Sequence, residues 1–303
     1  MGSVGIGIYI REIGRGKDGA RALTRLQAGD LMGQILDGSV TDLELGAFCL
    51  AMRIKGETPQ EMAGFLDALY ARMVRLPAGD TTTISIASYN GARKLPGLTP
   101  LLALLLAREG LAVVVHGMAT ENGRTSTQKV LETLGRRTQS AIESIANGQL
   151  QYLPTELLCP GLARLLDVRR VVGLRNPAHS LVKLMNPCLG KSLVVSSYTH
   201  PEYADSMAQT FALMASDALL IRGTEGEAVA DPRRAPRMQA FRQGVAATVQ
   251  EGQTGPLAQV PDLPHAIDAL STAAYIRQVL AGAQPVPEPI ALQVACILRL
   301  VRT

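Results

Sequence analysis

The stretch from Ala87 to Gly135, ASYNGARKLPGLTPLLALLLAREGLAVVVHGMATENGRTSTQKVLETLG, decides the fold. A loop rich in Gly, Asn, Arg and Lys leads into an apolar segment, Pro100 to Ala107, which predicts a helix broken at Gly110. Ala112 to His116 then runs as a short continuous apolar segment, the signature of a buried strand. A loop follows from Met118 to Thr125, and Thr127 to Leu134 predicts a second helix closed by Gly135. Loop, helix, strand, loop and helix in this order put two polar loops at one edge of a parallel sheet. Open α/β folds bind ligands at that edge.

The same alternation continues on both sides. Strands are expected at Ile84 to Ser88, Leu193 to Tyr198 and Ala218 to Arg222, in addition to the one ending at His116. Helices are expected between them, at Thr155 to Leu166 and Glu202 to Met214. A Pro/Gly-rich connector, Gly252 to Pro264, precedes two further helices near Ala266 to Leu280 and Ile290 to Val301. Before Thr82 the period is helical throughout. Leu23 to Leu36 stops at Gly38, while Thr41-Asp-Leu-Glu44 and Thr58-Pro-Gln-Glu61 are capping boxes that open two more helices. The expected fold class is therefore α/β. A small α-helical domain over 1–77, joined by a segment near 175–190, precedes an α/β domain over 78–303 with a mostly parallel central sheet.

Composition excludes several classes. The chain has 303 residues, 47% hydrophobic and 18% charged, which describes a globular protein with a sizeable core. No run is long and apolar enough for a membrane span, and the first ten residues do not read as a signal peptide. Cys49, Cys159, Cys188 and Cys296 are widely separated, with no metal-ligand spacing, which points to buried thiols in a cytoplasmic protein. The net charge of +4 is small, but the basic residues are clustered. Six fall between Leu157 and Lys191 (Arg164, Arg169, Arg170, Arg175, Lys183 and Lys191) against the single acid Asp167, and Arg233, Arg234, Arg237 and Arg242 form a second group.

With HG at 116–117 and VLETLG at 130–135, the chain resembles anthranilate phosphoribosyltransferase over nearly its whole length. The resemblance implies a site for phosphoribosyl pyrophosphate (PRPP) and magnesium between a small α domain and an α/β domain, and dimerisation through the former. The family's phosphate motifs are degraded here. Its GTGGD loop falls on Ala87, Ser88, Tyr89, Asn90 and Gly91, and its NxST segment on Gly97-Leu98-Thr99-Pro100, where only the Thr99 hydroxyl could substitute. Its KHGNR keeps His116 and Gly117 but reads Val115, Met118 and Ala119 elsewhere, and its GSAD reads Ser126-Thr127-Gln128-Lys129. Arg175 matches the arginine that meets the anthranilate carboxylate, and Lys183 replaces part of a GP turn. The metal-binding Asp-Glu pair falls on Ala228 and Val229, which offer magnesium no oxygen ligand.

Acids and glycines are lost while Arg93, Lys94, Lys129 and Lys183 appear in the same loops. This pattern, with YNGARK, RNPAHSL, SxxHPEY (Ser197 to Tyr203) and GTEGE, resembles the YbiB group. That resemblance implies a non-enzymatic homodimer that binds nucleic acid through basic grooves, and a chain extending somewhat past Thr303. The expected phosphate contacts are Arg93, Lys94, Lys129, Arg124, Arg169, Arg170, Arg175, Lys183, Arg233 and Arg234. The former PRPP positions are Asn90, Gly91, Thr99, His116, Gly117 and Thr127. His116 is expected to be a hydrogen-bonded structural residue. No catalytic residue, metal or other cofactor is expected. With 4% aromatic residues and no Trp, binding should run through Lys and Arg to the phosphates of DNA, and of RNA as a further candidate, rather than through stacked bases. Two alternatives stay open. One is a PRPP-type pentosyltransferase using Arg175, Thr99 and a shifted magnesium pair at Glu225 and Glu227; the other is a scaffold whose basic patches meet acidic partners.

Overall fold

The computed structural model describes residues 5–16, 18–79, 81–257 and 260–302. Ala258 and Gln259 of the expected connector, and Thr303, lie outside the described residues. The chain divides into two compact units. It begins in the first with α1 (Gly7–Ile13), α2 (Arg25–Asp37), α3 (Asp42–Lys55) and α4 (Pro59–Tyr70). The Thr41 and Thr58 capping boxes form as expected, and Thr24 with Gln27 makes a third. The Glu61 carboxylate, fully buried, accepts from the Leu23 and Thr58 N–H groups and from Lys55 Nζ at 2.6 Å, tying together three entry points of the bundle.

The second unit opens with β1 (Thr83–Ser88), α5 (Thr99–Arg108), β2 (Ala112–Gly117), α6 (Thr127–Thr133) and β3 (Leu150–Pro154). The chain then returns to the first unit for α7 (Thr155–Leu158), α8 (Pro160–Val172) and α9 (Ala178–Leu184). It completes the second with β4 (Ser192–Tyr198), α10 (Pro201–Leu213), β5 (Ala218–Arg222), β6 (Met238–Arg242), β7 (Val245–Gln250), α11 (Ala269–Leu280) and α12 (Glu288–Arg302).

The first unit is 1–74 with 155–185, where 1–77 joined by a segment near 175–190 is expected, so the joining segment begins earlier, at 155. The segment 155–166, read as a helix covering the sheet, belongs to the helical unit instead and is split at Pro160 into α7 and α8. The reason is local. Gly161 lies against α2 so closely that a Cβ there would stand 2.1 Å from the Leu36 carbonyl oxygen. Helix α1 and strands β3, β6 and β7 are additions to the expected elements.

The sheet has seven strands in the order β3-β2-β1-β4-β5-β6-β7. The first five are parallel, and β6 and β7 are antiparallel additions. Ile84, Ile86, Val113, Val115, Leu193, Val195, Leu219 and Ile221 point to one face, packed by α5, α11 and α12. Burying such a face is the main stabilising term of a parallel sheet. The order reverses between β1 and β4, so the loops after β1, β4 and β5 gather at the switch point beyond the strand ends. Among the described residues, no helix is long and apolar enough to cross a membrane.

Candidate functional site

The loop after β1 holds Asn90 and Gly91, and the loop after β5 holds the GTEGE motif, Gly223 to Glu227. The two loops are locked to each other. Glu227, 3% exposed, aims its carboxylate at the β1 loop. Its Oε1 accepts from the Asn90 and Gly91 N–H groups at 2.7 and 2.9 Å. Its Oε2 accepts from the Ser88 hydroxyl, and from the Thr99 hydroxyl at 3.3 Å. Glu225 repeats the arrangement one step outward, accepting from the Arg93 and Lys94 N–H groups at 2.5 and 2.8 Å. Asn90 Nδ2 donates to the Gly226 carbonyl at 2.9 Å. Gly91 at φ 72° turns two successive N–H groups towards one point, the concave donor arrangement that binds anions.

The two polar loops expected at one edge also meet. Ala92 and Thr125 exchange backbone hydrogen bonds of 2.8 and 3.2 Å. Between them, a cavity lined by Ser88, Asn90, Gly91, Arg124, Thr127 and Tyr152 measures about 10 Å³, room for one water at most. Arg124, expected to face phosphate, is instead held in an ion pair with Glu121. His116 is fully buried, its Nδ1 3.0 Å from the Tyr89 hydroxyl, and burial pushes its pKa down to about 3. Gly117 is kept for packing, since a Cβ there would lie 1.8 Å from the Ser88 carbonyl oxygen. Asn90, Gly91 and Thr99 therefore offer their donors to the chain itself and not to a ligand.

The residues present do not fit a magnesium–PRPP pair. Ala228 and Val229 are buried and apolar, and the Glu225 and Glu227 carboxylates are engaged by N–H and O–H donors. Among the described residues, no group of three or more His, Cys, Asp or Glu side chains converges on a point.

A second concavity lies beside this closed one. It is a groove of about 900 Å³ beyond the ends of β4 and β5, lined by Lys94, Arg222, Arg233, Arg234 and Arg237, with Tyr198 at its floor. Its acids are Glu225 and Asp231, so cations outnumber carboxylates five to two. Both acids already have partners. Burial works to raise the Asp231 pKa, but its bonds from Arg233 at 2.8 and 2.9 Å outweigh this and hold it below the usual range. Arg234 donates to the Gln253 carbonyl and Arg237 to the Thr248 hydroxyl, which orients both guanidiniums.

Of the expected phosphate contacts, the groove thus gathers Lys94, Arg233 and Arg234, with Arg93 adjoining through its bond to Glu225. Lys129 is exposed on α6 but does not line the groove. Arg169, Arg170, Arg175 and Lys183 belong to the helical unit, where Arg170 pairs with Asp167. His179, also in that unit, is buried and bonded to Asn176, and burial pushes its pKa down to about 3.

Arg222, Arg237 and Tyr198 line the groove without being among the expected contacts. The ladder that pairs Ile221 with Met238 brings Arg222 and Arg237, the next residues outward, to the same end of the sheet. That signal depends on β6, which the sequence reading did not place. The four cysteines are buried and unpaired, and burial pushes Cys49 up to about 11 and Cys188 up to about 12, so these two thiols stay protonated.

Comparison with known proteins agrees with this geometry. The glycosyl transferase family helical bundle domain matches residues 8–73. The chain is 41% identical over 302 residues to the uncharacterised protein YbiB of Escherichia coli, covering 95% of this chain and 92% of that one. It is 26% identical to the anthranilate phosphoribosyltransferase of Geobacillus thermodenitrificans, over 68% of this chain and 62% of the enzyme. Among solved structures, the enzyme from Thermus thermophilus superposes with a TM-score of 0.73 at 21% identity, over 93% of this chain and 87% of that one. The enzyme from Saccharomyces cerevisiae with PRPP and Mg superposes at 0.69 and 13%, over 98% and 88%, so these two likenesses speak for the fold. The chain belongs to the YbiB group, proteins with a glycosyl transferase family helical bundle and an anthranilate phosphoribosyltransferase-like fold.

Proposed function

We propose that the protein binds nucleic acid, DNA first with RNA as a further candidate, through backbone phosphates and with little sequence preference. The observation that carries this reading is the groove in which Lys94, Arg222, Arg233, Arg234 and Arg237 stand together while Glu225 and Asp231 are occupied internally. Guanidinium groups fixed by neighbouring acceptors suit phosphate oxygens, which they meet bidentately. Lys and Arg dominate the charged lining of the groove, which suits contacts that position a phosphate backbone rather than read a sequence. The helical unit supports a second copy of the chain as partner. Leu43, Leu50 and Ile54 are exposed along one stripe of α3, with Leu26 exposed on α2. Two linked grooves would then share one strand and raise its affinity.

Titration of a fluorescent oligonucleotide at low and at fourfold higher salt tests the reading. With Arg233 held by Asp231, four phosphate contacts on a duplex give a slope of about −3.6, hence a roughly 150-fold loss of affinity across that change. Absence of binding at low salt, or binding indifferent to salt, would overturn it.

A further inference from the structure

We infer that the Ser88–Lys94 loop remains an anion-binding site whose ligand is the chain's own pair of carboxylates, Glu227 inside and Glu225 outside. It is closed to small external oxyanions for as long as those two side chains stay in place. This goes beyond the proposed function and does not depend on what the groove binds.

The donor set is the first argument. The four N–H groups of Asn90, Gly91, Arg93 and Lys94 and the two hydroxyls of Ser88 and Thr99 all aim at carboxylate oxygens. A site made only of donors calls for an anion, and the buried part of it would be costly to leave unfilled. The backbone of GTEGE is the second. Glu225 sits at φ 54°, a left-handed conformation that side chains adopt rarely and at some cost, yet its carboxylate bonds two N–H groups from there. Gly226 at φ 88° and Gly223 have no room for a side chain. A Cβ would come within 2.4 Å of Asn90 Nδ2 at the former and 2.1 Å of the Glu227 carbonyl oxygen at the latter. The turn is thus shaped to bring two acids, spaced two residues apart, onto alternate N–H pairs of the facing loop. The third is volume: the neighbouring cavity of about 10 Å³ is too small for a phosphate, so the loop has no second place for an oxyanion beside the donors that Glu227 occupies. Phosphate motifs that look eroded in sequence are therefore a site with an internal occupant.

The test compares the full chain with E227A, E225G and, as a control for general salt effects, the core variant L219A. Acetate and pyrophosphate are titrated against chloride at matched ionic strength. Melting temperature and the amide resonances of Asn90, Gly91, Arg93 and Lys94 are followed. In the parent, neither anion should shift the Asn90 and Gly91 amides. In E227A, both should shift Asn90 and Gly91 saturably and raise the melting temperature, with apparent affinity at least roughly tenfold above the parent's. L219A should gain no saturable stabilisation. E225G relieves the left-handed strain and should fold whatever becomes of E227A; there the Arg93 and Lys94 amides should respond. Saturable binding at the Asn90 and Gly91 amides in the parent would overturn the inference. So would the lack of any saturable response in a folded E227A or, should that variant not fold, in E225G. Oligonucleotide binding by the parent is read separately, so either proposal can fail alone.

Discussion

Two concavities lie at one sheet edge and differ first in the origin of their counter-charge. In the loop after β1, backbone donors meet Glu227 and Glu225 from the same chain, and the cavity measures about 10 Å³. In the groove beyond β4 and β5, five cations meet two acids and about 900 Å³ of space remains. Backbone donors are rigid and can be satisfied by one well-placed carboxylate, which becomes part of the core. Long cationic side chains cannot all be paired by two acids, so the groove keeps an excess of positive charge.

The sharpest way to break this contrast is to exchange consequences between the regions. E227Q puts an amide NH₂ among donors and leaves buried N–H and O–H groups short of an acceptor. It should lower global stability by about 3 kcal/mol, measured by urea unfolding. Below its melting point it should bind an oligonucleotide within twofold of the parent. A large loss of affinity with little loss of stability would mean that the loop, and not the groove, is the binding surface.

The converse variant, R222A/R234A/R237A, removes three guanidiniums whose side-chain bonds are to a Gln253 carbonyl and a Thr248 hydroxyl near the surface. Stability should change little. Affinity should fall about ten- to a hundredfold at low salt, and the salt slope should flatten by about 2.7 as three contacts go. Filter binding at several salt concentrations separates these outcomes, and an unchanged slope would place the track elsewhere.

Much of the fold was legible because period and caps are local signals. Thr41 with Glu44 and Thr58 with Glu61 announced helices that form as read, and the apolar runs at 84–88 and 112–116 are adjacent parallel strands. The strands that went unread had weaker local marks. Leu150 to Pro154 is short, and β6 and β7 are joined by Gln243 and Gly244, whose φ values of 45° and 80° make a hairpin turn without an Asn-Gly or Asp-Gly pair. The site was legible only in part. Lost glycines and acids could be counted against a family pattern, but Glu227 replaces a ligand from 136 residues away, and no spacing within the β1 loop betrays it. Arg222 and Arg237 likewise become neighbours only through an antiparallel ladder that the sequence reading lacked.

The His116 beneath the closed loop adds a pH signature. Its folded pKa of about 3 lies below the ordinary 6.5, so between these values the unfolded chain holds a proton that the folded one does not. Stability from this group is full above about pH 6.5 and declines as pH falls towards 3, by roughly 1.4 kcal/mol per pH unit. His179 adds a parallel decline with the same sign. In the window from about pH 5 to 6.5 ordinary carboxylates are already ionised, and Glu57, whose pKa burial pushes up, contributes equally in parent and variant. H116Q should lower the slope of unfolding free energy against pH there by up to about 1.4 kcal/mol per pH unit, whatever its effect on absolute stability. An unchanged slope would show that His116 titrates normally and that the closed loop admits water.

The smallest expected effect tests the boundary between the two regions. Glu225 belongs to both, bonding the Arg93 and Lys94 N–H groups while lining the groove. In E225G one of the groove's two acids is gone, and the two freed N–H groups join a cationic surface that a phosphate can reach. Oligonucleotide affinity should therefore rise two- to fivefold, about 0.4 to 1 kcal/mol, and the gain should shrink as salt screens the removed charge. A fall in affinity would mean that Glu225 orders the Arg93–Lys94 segment for nucleic acid, making the two regions one cooperative site. A rise confined to low salt would keep them distinct, the carboxylate acting as a local brake on a groove whose cations do the binding.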